Sequence, residues 1–252
     1  MLTALALVLA FSAGCASRQP HSVSPHIPII TPAERPGLGT GWGETRASWV
    51  EPATFARAHA TRPDSKGLLF YNDREGINAM LDYLGGEPRA ATGLRPAGDV
   101  SFGLRGGDGH WLESYELKGK RLTVGERAGR YEVVVKNDSP KPVEVLVTVD
   151  GLDTLDGDPA RFDKRGFVVD PAGELVVDGF RFSDGEVGAF RFSGVSDTVG
   201  QRRHGKTDNV GVVGVMVFRE GRAQPPTKDQ PVRPAAAGAP PTNRTFAKPP
   251  AA

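Results

Sequence analysis

YEVVVKN (residues 131–137), the break Asn137-Asp138-Ser139-Pro140, and then VEVLVTV (residues 143–149) decide how this chain folds. In the first run Tyr131, Val133 and Val135 alternate with Glu132 and Lys136, so one face is apolar and the other polar, as a half-buried strand requires. Valine and tyrosine suit a pleated surface. The Asn-Asp-Ser-Pro break carries residues whose side chains bond their own backbone and turn the chain. The passage reads as strand, turn, strand.

The same grammar recurs on both sides. Apolar runs at 100–104, 110–117, 121–124, 130–137, 143–149, 166–169, 174–182, 187–192 and 210–219 are set apart by Gly106-Gly107-Asp108-Gly109, Lys118-Gly119-Lys120, Pro171-Ala172-Gly173 and Ser183-Asp184-Gly185. Short, evenly spaced strands with polar turns predict a mainly β fold, an antiparallel β-sandwich over residues 99–220. The run VGVVGVMVF (210–218) has little polar alternation and is expected as a central strand buried on both faces, with Gly211 and Gly214 allowing close backbone approach. Residues 39–98 are expected as a helical and loop extension packed on the sandwich. Within them Asn72-Asp73-Arg74-Glu75 precedes Ile77, Met80, Leu81 and Leu84 at helical spacing, and Gly85-Gly86 follows. This predicts one short helix with Asn72 as cap, Glu75 completing a capping box, and the apolar stripe on the core.

Composition narrows the function classes. The chain has 252 residues and a formal net charge of +1 from 31 Lys+Arg against 30 Asp+Glu. Without surplus cations to release counterions from phosphates, nucleic acid is disfavoured as a partner. A single cysteine excludes an intramolecular disulfide and a Cys-type zinc site. The 32 glycines and 21 prolines favour turn-rich β structure over a helical bundle.

The ends read as address and tether. Residues 1–14, MLTALALVLAFSAG, are apolar and uncharged, too short for the roughly 20-residue membrane span but of the length of a secretory h-region. Ser12-Ala13-Gly14-Cys15 resembles a bacterial lipobox, which implies a signal peptide over 1–15 and lipid on Cys15. Ala16, where inner-membrane lipoproteins favour Asp, implies sorting to the outer membrane of a two-membrane bacterium. The alternative is an ordinary signal cleaved near Ala16, leaving a secreted or periplasmic protein. Residues 16–38 hold prolines 20, 25, 28, 32 and 36 and predict an extended linker. Residues 221–252, rich in Pro and Ala, predict a disordered tail.

Residues 131–137, 145–157 (VLVTVDGLDTLDG), 165–171 (RGFVVDP), 179–182 (GFRF), 187–192 (VGAFRF) and 209–218 (NVGVVGVMVF) carry a family likeness. Over about 131–220 the chain resembles an uncharacterised bacterial family, a domain of unknown function found as secreted or lipoprotein β-sandwich modules. RPGLGTGWGE (35–44) and YNDREG (71–76) look like an extension shared by some secreted members. The family brings no assigned catalytic residues, so the resemblance implies a surface module and leaves its ligand open.

Several clusters invite chemistry. Asp150, Asp153, Asp156 and Asp158 are dense enough for calcium, but their spacing is not that of an EF-hand, and Asp150-Gly151 and Asp156-Gly157 are turn dipeptides. Turn formation is the preferred reading, and no metal or cofactor is expected. His21, His26, His59, His110 and His204 show no zinc spacing. Arg202, Arg203 and His204 lie in a polar stretch expected as a solvated loop that an anion can approach. With Ser196, Asp197 and Asp208 nearby, a Ser-His-Asp arrangement can be drawn there, without the nucleophile elbow that would support it. Trp42, Trp49 and Trp111 are either a stacking platform for sugars or core residues. The leading expectation is a non-enzymatic envelope lipoprotein, held to the membrane by lipid, whose β-sandwich binds an envelope protein or glycan or serves structurally. The alternatives are a secreted carbohydrate-binding or carbohydrate-active protein, and a metal- or anion-dependent hydrolase centred on His204.

Overall fold

The computed structural model describes residues 36–221 and 231–235, all belonging to one unit, Glu34–Ala252. Cys15, the apolar leader, most of the linker and the histidines at 21 and 26 lie outside the described residues. The chain runs β1 (Leu38–Ala47), β2 (Val50–Pro52), β3 (Ser65–Asn72), α1 (Arg74–Leu84), β4 (Arg89–Ala91), β5 (Arg95–Ala97), β6 (Val100–Gly106), β7 (Ser114–Leu117) and β8 (Lys120–Val124). It continues through β9 (Tyr131–Asn137), β10 (Val143–Val149), β11 (Leu152–Asp153), β12 (Phe167–Val169), β13 (Glu174–Val177), β14 (Gly179–Arg181) and β15 (Glu186–Gly194). A 3-10 turn at Val195–Asp197, α2 (Val199–His204), β16 (Val212–Arg219) and β17 (Val232–Pro234) complete it.

The fold is mainly β, in antiparallel sheets. The largest has the order β2-β17-β12-β10-β16-β3-β8-β7-β4, with β11 also on β10; two smaller sheets have the orders β13-β9-β6-β5 and β1-β15-β14. Two of its pairings, β3 with β8 and β12 with β17, are parallel. One apolar core draws Leu69, Val145, Val147 and Val215 from the large sheet, Phe102, Val133 and Val135 from the second, and Phe190 and Phe192 from the third. The smaller sheets therefore face the large one across a shared interior, as in a sandwich.

YEVVVKN forms β9, in the middle of its sheet between β13 and β6. VEVLVTV forms β10, buried at every position because β12 and β16 flank it and both its faces are covered. The turn between them does not close a hairpin; it carries the chain from one sheet to the other. Asn137 clamps that crossing, its buried side-chain amide donating to the Lys141, Val169 and Asp170 carbonyls while its Oδ1 accepts from Ser139 N–H at 2.9 Å. β16 lies between β10 and β3 and is buried from Val213 to Phe218, as its unbroken valine run suggests. Gly214 makes this possible, since a Cβ there would lie 2.6 Å from Thr148 Oγ1.

Four expectations are corrected. Residues 39–98 supply five strands, and β3 sits deep in the large sheet between β16 and β8. Its inward positions are Gly67, Leu69 and Tyr71, and the missing side chain of Gly67, packed against Phe102, hides the alternation. The cap of α1 is Asp73, which accepts from Gly76 N–H at 2.8 Å, whereas Asn72 accepts from Leu38 N–H at 2.8 Å and so ties β1 to the end of β3. The run 174–182 divides at Asp178 into β13 and β14, which join different sheets. Within the expected tail, β17 pairs with β2 and β12, and Val232 is fully buried. Residues 222–230 and 236–252 lie outside the described residues.

The outer face of β10 carries a buried charge. Glu144 is inaccessible to solvent and pairs with Arg57 and Arg165, each at 2.8 Å. Arg57 also lies 3.5 Å from the Phe218 ring centroid and donates to the carbonyls of Ala60, Phe162 and Lys164. Although burial opposes ionisation, the two guanidiniums hold the Glu144 carboxyl below its ordinary range.

Candidate functional site

The helix α1 leaves the end of β3 at its Asp73 cap and packs back over β3 and β8. Gly76 lets its first turn settle on the strand, because a Cβ there would lie 2.1 Å from the Asn72 amide. Its last residue is held by Lys118, whose ammonium donates to Leu84 O at 2.5 Å. Between these anchors only Ile77 of the apolar stripe is fully buried; Met80, Leu81 and Leu84 are partly exposed. The stripe thus covers the sheet incompletely. An open groove of about 590 Å³ remains, walled by Phe70 from the strand and by Ala79, Met80, Tyr83 and Leu84 from the helix. It adjoins a smaller cavity of about 190 Å³ that shares Phe70 and Met80 and reaches Val195 and Val210.

The polar groups of the groove are unevenly disposed. Asn72 and Asp73 line it but are engaged by Leu38 N–H and Gly76 N–H. Glu75 stands at the same end, in the first helical turn, where a negative charge suits the helix dipole. Lys120 lines the groove next to the Lys118-Gly119 turn, whose two positive φ values, 48° and 73°, close the β7–β8 hairpin tightly. Its ammonium lies 5.0 Å from the Phe70 ring centroid, and among the described residues no carboxylate pairs with it. The arrangement offers an apolar wall with a cation at one end and carboxylates at the other.

The residues singled out from sequence are placed elsewhere. Trp42 packs on Phe180 and Phe182, at centroid distances of 6.3 and 5.8 Å; Trp49 covers Gly185; Trp111 lies under the Arg105 guanidinium. Each indole is partly buried, and among the described residues no indole stacks on another. The acidic stretch and the basic stretch are brought together. Arg202, Arg203 and His204 lie on α2, capped by Thr198, and not in a loop. Arg203 reaches Asp158 at 3.3 Å and the Asp156 carbonyl, His204 Nε2 bonds the Gly157 carbonyl at 3.0 Å, and Arg202 pairs with Asp197 at 2.7 Å. His204 thus turns its ring toward the acidic turn. Lys164 pairs with Asp156 at 2.7 Å and lies 3.7 Å from Asp153. Among the described residues no three His, Cys, Asp or Glu side chains are grouped to hold a metal ion. Positive φ values at Asp150, Gly151 and Gly157 show the stretch turning twice.

Asp150 is enclosed, accepting from Thr40 N–H at 2.7 Å, Tyr71 O–H at 2.5 Å and Gly211 N–H at 2.9 Å. Burial pushes its carboxyl up to about 6 against these bonds. Asp153, also buried, is pushed up to about 7 by burial and by the neighbouring charge of Asp156. Both face the interior and not a cleft.

The chain matches no family model, no curated protein and no solved structure. The likeness over residues 131–220 therefore stands on the quoted residues alone. Sequence reasoning missed Phe70, Tyr83 and Lys120 because they come from three separate segments. The stripe of Ile77, Met80, Leu81 and Leu84 reads as a sealed core face and carries no hint of the groove.

Proposed function

We propose that the chain is a non-enzymatic binding module of a bacterial cell envelope, tethered by lipid on Cys15, with the groove between α1 and β3 as its ligand site. The observation that carries the binding reading is the open, largely apolar groove of about 590 Å³, a volume within the usual range of small-molecule sites. The envelope reading rests on the uncharged apolar run ending in the sole cysteine, and on the likeness to secreted and lipoprotein modules. Among the described residues no helix is long and apolar enough to cross a membrane.

The groove is tested with phenylnaphthylamine, an uncharged dye that brightens in apolar surroundings. Wild-type chain is expected to bind it saturably, near one dye per chain, and Met80→Glu, which sets a charge on the groove wall, is expected to abolish binding while the melting temperature stays close to wild type. Equal dye binding by the variant removes the groove from the reading. For the tether, Cys15→Ser is expected to move the chain out of the membrane fraction, and the wild-type mature mass is expected to include acyl chains; a wild-type mass without them refutes the anchor.

A further inference from the structure

We infer that the groove takes a free single-chain amphiphile with an anionic headgroup, its chain along Phe70 and Met80 and its headgroup at Lys120; this rests on the groove being a ligand site. The walls exclude most other occupants. Along the walls formed by Phe70, Ala79, Met80 and Leu84, the amides of a peptide or the hydroxyls of a sugar would be buried without partners. An alkyl chain brings no such demand. Met80, unbranched and polarizable, adapts to a flexible chain.

Charge sets the direction. Lys120 holds its ammonium over the Phe70 ring with no carboxylate partner among the described residues, and the tight Lys118-Gly119 turn beside it fixes where the strand begins. Glu75 and Asp73 make the opposite end acidic. An anion is therefore attracted at one end and repelled at the other, so the headgroup docks at Lys120 and the tail points toward Pro36. A cationic amphiphile would meet the ammonium head-on if it entered the same way.

The test uses the full chain loaded with phenylnaphthylamine and titrated, at a pH where the carboxylate is ionised, with dodecanoate, dodecanol and dodecyltrimethylammonium. Dodecanoate is expected to displace the dye at concentrations about tenfold lower than either of the others. Lys120→Met keeps the apolar stem and removes the charge; it is expected to weaken dodecanoate about tenfold and leave dodecanol unchanged. Lys120→Glu is expected to reverse the preference toward the ammonium compound, and unfolding curves of both variants check that the fold persists. Dye displaced equally by all three compounds overturns the headgroup assignment and leaves the groove reading standing. No dye binding at all overturns both. Lys120-dependent sedimentation with phosphatidylglycerol vesicles, uncompeted by dodecanoate, assigns the face to a bilayer and also overturns the proposal.

Discussion

Asp150 and Asp153 stand three residues apart, the first in the turn after β10 and the second in β11, both buried, yet substitution should separate them. An unfolded aspartate ionises near 3.9, whereas these two retain protons up to about 6 and about 7 in the folded chain. Between about pH 4 and 7 the folded state therefore binds more protons than the unfolded one, so their contribution to stability falls as pH rises through that window and is level above it. Asp153→Asn removes the buried charge and keeps an oxygen to accept from Leu155 N–H, so it should stabilise the chain by about 1–3 kcal/mol at about pH 8 and change little at about pH 4. Asp150→Asn should do the reverse and cost about 1–3 kcal/mol, because an amide nitrogen would face a donor, Thr40 N–H or Gly211 N–H, where an oxygen now accepts. Urea unfolding of both variants at the two pH values measures this. A loss of stability in Asp153→Asn that is independent of pH would contradict it.

At the scale of elements, the Arg57–Glu144–Arg165 cluster fastens two irregular stretches to the outer face of β10, one between β2 and β3 that carries Arg57 and one between β11 and β12 that carries Arg165. Glu144→Gln leaves Arg57, 3% exposed, without its counter-charge, and should cost about 3–5 kcal/mol in denaturant unfolding. Replacing Arg57, Glu144 and Arg165 together by apolar residues should cost less than that single change. A Glu144→Gln effect under about 0.5 kcal/mol, the level of ordinary surface changes, would show that the cluster does not hold these stretches. Such a cluster could not be foreseen, since its members are distant in sequence and look like solvated charges. The strands were legible where side chains told inside from outside: β9 alternates, and β16 is unbroken valine. They were illegible where the backbone did the packing. Gly67 leaves a gap in the alternation of β3, and the glycines of β1 read as loop. The helix was legible too, but not that three of its four stripe residues would stay partly exposed and leave a groove.

Over the whole molecule, β17 joins the edge strand β2 to β12 in the large sheet with a segment whose composition suggested no structure. Proline is tolerated there because Pro234 ends a three-residue strand, while Val232 alone enters the core. Val232→Asp should therefore lower stability by about 2–4 kcal/mol, against under about 0.5 kcal/mol for a position in a solvated tail, and differential scanning calorimetry distinguishes the two. The place of β16 has a consequence in time. It is the last long strand to be synthesised, yet it lies between β10 and β3, which pair with each other only through it. Until residue 219 is synthesised, the pair β10–β12 and the group β3-β8-β7-β4 lack the strand that joins them, and sequence-distant pairings of this kind are slow to form. The large sheet of this protein is therefore completed only near the end of synthesis, by β16 and then by β17.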